Sequence, residues 1–255
     1  MTPRFEVSTV PSDPQLTADA LFDGELTIWQ HADGYRFGLD ALLLASDLVD
    51  LPDNATVVEL GAGQGAVALS VAHTHPDWHI VALERQTSLL KLLRRNVEVN
   101  QLDNVQVIAG DLRDHRYLLE PHSADLVLCN PPYFRPGDRR PSPKKERAAG
   151  RHELHGTLAD FIAASAYVLK QRGSMQMMTP PLRLPDVLDG LQPTDLRLQS
   201  LRFYHANATK DAYLIDYRCR RGGAPDMAVR PPLYIYQDQG IYTDEVARRI
   251  GRRRR

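Results

Sequence analysis

The chain has 255 residues, is 43% hydrophobic and 25% charged, and carries a net charge of -1. These totals describe a globular protein with a full core and argue against indiscriminate binding to nucleic acid, while leaving room for local cationic patches. The start lacks a basic region followed by an apolar core, no apolar run reaches membrane-spanning length, and Cys129 and Cys219 share no metal-type spacing. The expectation is a cytoplasmic protein with neither membrane nor metal partner, and with Cys129 as a buried structural thiol.

Residues 1–20 are polar, contain Pro3, Pro11 and Pro14, and read as a loose arm. Glu25–Gln30 alternates as a short strand does. Gly34-Tyr35-Arg36-Phe37-Gly38 turns into Leu39–Ala45, apolar all round and hence a buried helix, with Asp40 placed to cap it. Tyr35 and Phe37 read as packing residues.

From Thr56 the pattern becomes regular. Thr56–Leu60, His79–Glu84, Asn104–Ala109 and Ala124–Cys129 read as strands, separated by helices over Ala66–His75 and Gln86–Asn100. Short strands alternating with helices of ten to fifteen residues predict an α/β fold with a doubly wound, mostly parallel sheet. Right-handed crossovers then bring every strand-end loop to one sheet edge. The helix Leu154–Lys170, the strand Ser174–Met178, the helix Leu182–Leu191 and the strands Leu196–Phe203 and Ala212–Tyr217 complete it, followed by an arm at Leu233–Tyr236. The organisation predicted is an extension over residues 1–54 packed on a core of 55–218, with 219–255 as an arm and arginine-rich tail.

Four strand ends carry candidate chemistry. The first is Glu59-Leu60-Gly61-Ala62-Gly63-Gln64-Gly65, where glycines permit positive φ and close approach to a ligand, although a tight turn with close helix packing uses the same residues. The spacing is G-x-G-x-G rather than the dinucleotide fingerprint. Glu84 ends the next strand, about 20 residues on, where a carboxylate can accept from two ribose hydroxyls. Asp111 follows the third strand and can accept from an adenine amino group. The fourth strand stops at Asn130-Pro131-Pro132-Tyr133, because two prolines offer no N–H to a ladder. That tetrapeptide is either a turn or a clamp for a planar amine. After it, residues 134–151 hold seven Lys/Arg against two acids, with three prolines, and read as a long loop.

Val58–Gly65, Glu84, Gly110-Asp111 and Asn130-Pro131-Pro132-Tyr133 resemble the successive motifs of class I S-adenosylmethionine-dependent methyltransferases acting on exocyclic or amide nitrogens. Within that superfamily the chain is similar to the bacterial tRNA(Val) adenosine N6-methyltransferases, which modify the base 3′ of the anticodon. Gly34–Ala45, Arg151-His152-Glu153-Leu154 and Arg220-Arg221-Gly222-Gly223 share that likeness, which runs from about residue 22 to residue 246.

The resemblance implies a Rossmann-like sheet of seven strands with the last antiparallel. It also implies S-adenosyl-L-methionine as cofactor, held by Gly61, Gly63, Gly65, Glu84 and Asp111, with Asp40 meeting the cofactor's ammonium as well as, or instead of, capping its helix. Asn130 and Pro131 would accept the amine hydrogens of adenine and Tyr133 would stack on the base. Pro132, Arg135, Arg139, Arg140, Lys144, Lys145, Arg147 and Arg151 would complete contact with a tRNA partner. Relatives with the same tetrapeptide methylate other RNAs, DNA or protein glutamine. His152-Glu153-Leu154-His155 lacks zinc-type spacing, and neither histidine is nominated as a base.

Overall fold

A computed structural model describes residues 15–33, 36–133, 156–224, 226–238 and 240–250. Tyr35, the cations from Arg135 to Arg151, His152, His155 and Arg252–Arg255 lie outside the described residues. The described chain opens with a hairpin, β1 (Leu16–Leu21) and β2 (Leu26–His31), paired antiparallel from Leu16↔His31 to Leu21↔Leu26. The loose arm expected over residues 1–20 is corrected here, since its end is a strand. Small residues at Ala18 and Ala20 conceal its alternation. Its turn bends through positive φ at Phe22, Asp23 and Gly24, where only the glycine gives an obvious signal.

Helix α1 (Leu39–Ser46) begins after Gly38, which is its N-cap. Asp40 is therefore the second helical residue and not the cap, and its side chain is directed to other partners. Strand β3 (Thr56–Leu60), helix α2 (Ala66–Thr74), β4 (His79–Glu84), α3 (Thr87–Val99), β5 (Val105–Ala109) and, after a short α4 (His115–Leu118) that the sequence did not suggest, β6 (Ala124–Cys129) follow, the predicted elements close to their expected limits. Helix α5 (Leu158–Val168) starts at a capping box in which Thr157 and Asp160 satisfy each other's backbone N–H groups. The expected helix Leu154–Lys170 is corrected accordingly, because Leu169 and Lys170 already belong to β7 (Leu169–Thr179). Helix α6 (Leu184–Leu191) and strands β8 (Leu196–His205) and β9 (Ala212–Arg221) lead to the carboxyl-terminal elements.

Strand β10 (Ala228–Tyr234) joins the central sheet beside β8. The order is β10-β8-β9-β7-β6-β3-β4-β5, with β9 antiparallel to both of its neighbours and every other pairing parallel. The seven expected strands are present, and β10 is an eighth that the sequence reading placed in an arm. Pro231 and Pro232 disguised it, and they are tolerated because β10 is an edge strand with an irregularity between Arg230 and Leu233. A two-stranded ribbon, β11 (Tyr236–Asp238) and β12 (Ile241–Tyr242), and helix α7 (Asp244–Arg249) end the described chain.

Period-two alternation divides the strand side chains between two cores. Val57, Ile80, Leu126 and Leu128 face α1, α2 and α7, whereas Val58, Val81, Val127 and Cys129 face α5 and α6. With seven of eight strands parallel, the ends of β3, β4, β5 and β6 share one edge, beside the start of β9. Among the described residues no helix is long and apolar enough to cross a membrane, and no cluster of His, Cys, Asp or Glu could hold a metal ion.

Candidate functional site

The loop after β3 turns sharply. Gly61, Gly63 and Gly65 have φ of 74°, 59° and 95°. At Gly63 an added Cβ would meet nothing within 4 Å, so the loop backbone is open to a ligand there. Gly65 plays another part. A Cβ on it would approach Leu69 and Leu93 to 2.6 Å, so this glycine lets α2 close on α3. Both readings of a glycine loop, cradle and close packing, hold at different residues of it.

Glu84, 5% exposed at the end of β4, braces the loop. One carboxylate oxygen accepts the Gly63 N–H at 2.8 Å and the other accepts the Gln86 N–H at 2.6 Å. A carboxylate offers about four lone-pair sites, so two remain for a ribose diol. Beneath it lies Glu59, an acid in an otherwise apolar strand, which accepts the Ala68 N–H at 2.8 Å. Burial pushes its carboxyl up to about 8; the Ala68 bond offsets part of this and the nearby Glu84 adds to it. Two acids therefore sit under one loop, the inner one protonated at neutral pH.

Asp111 is already engaged by two arginines of the chain. It caps a short turn over Leu112–Asp114 and receives Arg113 Nε at 2.9 Å and Arg85 Nε at 3.1 Å. The Arg113 hydrogen bond is the largest influence lowering its carboxyl to about 2. An adenine amino group would have to share this carboxylate with Arg113, whose side chain is half exposed.

At the end of β6 the polar groups converge. Asp40 Oδ2 accepts from Asn130 Nδ2 at 3.0 Å and also from the Tyr133 hydroxyl. Because a carboxylate cannot donate, this contact fixes which end of the amide is which. Asn130 Oδ1 is left buried and, among the described residues, without a hydrogen-bond partner. Buried acceptors are rarely left unpaired unless something else fills the role. Pro131 is buried, and Pro132 and Tyr133 are half-buried. Behind them Arg183, buried and paired with Asp186 at 2.6 Å, lies 3.5 Å from the Tyr133 carbonyl. Burial raises the Tyr213 phenol to about 12, with Asp40, Tyr236 and Tyr242 adding to the effect. Those neighbours place the start of β9 and the β11–β12 ribbon beside the site.

The structure thus brings Asp40, Asn130, Pro131 and Tyr133 together, and ties Glu84 to Gly63. The cations from Arg135 to Arg151 lie outside the described residues. Glu59 was quoted in the motif without a role, although an acid inside a buried strand is itself a signal. Arg183 had none, since it sits at the start of an ordinary amphipathic helix. Cys129 is buried, and its thiol is pushed up to about 12 by that burial, as befits a structural residue.

Comparison with known proteins places this geometry. The chain is 25% identical over 230 residues to the tRNA1(Val) (adenine(37)-N6)-methyltransferase of Bacteroides thetaiotaomicron, covering 89% of this chain and 88% of that protein. It is 31% identical over 128 residues to the ribosomal RNA large subunit methyltransferase G of Colwellia psychrerythraea, covering 49% of this chain and a third (33%) of that protein. It is 28% identical over 152 residues to the release factor glutamine methyltransferase of Shewanella oneidensis, covering 54% of this chain and 52% of that protein. Among solved structures, a predicted O-methyltransferase, protein Atu636 from Agrobacterium tumefaciens, superposes with a TM-score of 0.68 at 19% identity, covering 83% of this chain and 96% of that one. That likeness establishes the fold. The methyltransferase small domain model matches residues 37–191, more than half of the chain and the segment that carries the glycine loop, Glu84, Asp111 and Asn130–Tyr133, so the chain belongs to the methyltransferase small domain family.

Proposed function

We propose that this S-adenosylmethionine-dependent methyltransferase modifies the N6 amine of an adenine in tRNA, the adenosine 3′ of the anticodon of a valine tRNA. The observation that carries the reading is Asn130 Oδ1, a buried acceptor without a partner among the described residues, at the carboxyl edge of the sheet. S-adenosyl-L-methionine is the cofactor, and the residues present fit it. Gly63 leaves open space over the loop, and Glu84 keeps acceptor capacity beside it. When bound, the cofactor supplies an electrophilic sulfonium methyl, so the protein's task is alignment.

Asn130 Oδ1 and the Pro131 carbonyl accept the two amine hydrogens, drawing the nitrogen lone pair out of conjugation and toward the methyl. Tyr133 stacks on the base, and an unpaired loop base leaves its stack cheaply. Glu84 accepts from the ribose hydroxyls and Asp111 from the adenine amino group of the cofactor. No general base is needed before transfer, because the product cation loses its own proton. The cations Arg135, Arg139, Arg140, Lys144, Lys145, Arg147 and Arg151 follow the tetrapeptide directly in sequence and meet phosphates, giving an RNA affinity that falls with salt.

The test is transfer of labelled methyl to purified tRNA, ribosomal RNA and release factor, followed by nucleoside mass spectrometry of the tRNA. N6-methyladenosine in one tRNA is expected, and Asn130→Ala should abolish it. Label in release factor glutamine and none in RNA would replace this reading with amide methylation.

A further inference from the structure

We infer that Asp40 is a positioning residue for the acceptor clamp. In this role it locks Asn130 and Tyr133 into the orientation that receives the amine. The inference rests on the proposed amine transfer and deepens it. One oxygen, Oδ2, accepts from both the Asn130 amide and the Tyr133 hydroxyl, residues 90 and 93 positions away in the chain. Without that carboxylate, nothing described would prevent the Asn130 amide from rotating by 180°. It would then present two N–H donors to an amine that needs acceptors. The buried, unpartnered Oδ1 is the other half of the same arrangement, because its direction is set by what its amide nitrogen bonds.

A second observation concerns Gly38. A Cβ at this position would lie 2.3 Å from Asp40 Oδ1. Its φ of -108° is open to any residue, so the requirement is for space and not for backbone freedom. Gly38 reserves the volume in which the Asp40 carboxylate lies, and so acts on Asn130 at one remove. The sequence Gly38-Leu39-Asp40 is thereby a part of the amine site located at the start of α1.

The experiment uses the full chain with Asp40→Ala, Asp40→Asn and Gly38→Ala. Folding is checked by thermal denaturation, S-adenosylmethionine binding by calorimetry, and turnover on tRNA at saturating cofactor. Asp40→Ala is expected to lower kcat about a hundredfold, the scale of a misaligned reacting group, while cofactor affinity stays unchanged. Asp40→Asn retains an acceptor oxygen and should recover part of the rate. Gly38→Ala should reproduce the kcat loss, because its Cβ would displace the Asp40 carboxylate.

An independent readout is the side-chain amide of Asn130 in nuclear magnetic resonance, assigned through Asn130→Ala. Its hydrogen exchange should accelerate in Asp40→Ala, whatever the substrate proves to be. A weakened cofactor affinity with kcat intact would overturn the inference and make Asp40 an ammonium ligand, as would unchanged amide exchange. Absence of any methylation of RNA by the wild-type chain would instead remove the adenine reading, with the exchange measurement still deciding the role of Asp40.

Discussion

At the scale of single residues, Glu59 shows how a strand acid becomes part of a site. It ionises near 4.5 in an unfolded chain and near 8 in the folded one, chiefly because burial disfavours its charge. Between those values the folded protein holds a proton that the unfolded chain has released. Its contribution to stability is therefore complete below about pH 4.5 and is lost progressively as pH rises toward 8. Glu59→Gln keeps an oxygen for the Ala68 N–H and removes the titration. Melting temperatures measured from pH 4.5 to 8 should show the variant gaining on the wild type as pH rises; a constant difference would refute the shift. None of this was legible in the sequence beyond the acid itself, because the protonation depends on a loop and on Glu84 being folded over it. The tetrapeptide Asn130–Tyr133 was legible, since paired prolines stop a strand in the middle of a sheet, as β6 is, although an edge strand such as β10 tolerates them.

Among the elements, β2 has an outer edge that is satisfied in an unusual way. Asn100 accepts the Thr27 N–H at 2.8 Å and donates to the Thr27 carbonyl at 2.7 Å, while Asn96 accepts the Trp29 N–H at 2.8 Å and donates to its carbonyl at 3.0 Å. Two asparagines four residues apart, Asn96 on α3 and Asn100 at its C-cap, thus imitate a neighbouring strand. Asn96 also donates to the Gln64 carbonyl at 2.8 Å, which ties the hairpin to the glycine loop. Asn96→Ala leaves buried backbone groups short of partners and is expected to cost about 3 kcal/mol. It should also weaken cofactor binding, while Asn100→Ala lowers stability alone. Denaturant titration paired with calorimetry separates the two, and equal cofactor affinity in both variants would defeat the link to the loop. The leucines of α3 announce its buried face in the sequence, but the two asparagines look like solvated surface. Their partner strand shows only as weak alternation, and its mate β1 hardly at all.

Across the whole molecule, one carboxylate joins parts of the chain that the sequence separates. Asp47, 8% exposed at the end of α1, meets Arg202 of β8 at 3.2 Å, Arg218 of β9 at 3.0 Å, Arg230 of β10 at 3.1 Å and Arg249 of α7 at 3.1 Å. Burial alone would raise its carboxyl, but Arg218, Arg249 and Arg230 together hold it far below the ordinary carboxylate range. Asp216, fully buried on the same face, has its carboxyl raised to about 6 by burial, which Arg218 partly counters. One carboxylate of the face thus carries the charge more readily than the other. A buried ion network is weak evidence for net stability, but removing one partner is costly because the others are left uncompensated. Asp47→Ala strands several guanidinium groups at once, and a loss of about 3–5 kcal/mol is expected. For a depressed carboxyl the sign is opposite to that of Glu59: the stabilisation is present above about pH 3.8 and disappears as pH falls below it. The wild type should therefore lose its advantage over Asp47→Ala in acid. Limited proteolysis of the variant at neutral pH should cut first between β9 and α7, because the anchor holds β10 and α7 against α1. Uniform destabilisation without early cleavage there would show that the apolar contacts of Leu233, Ile235 and Val246 suffice to hold the arm, and that the arginines answer only to one another.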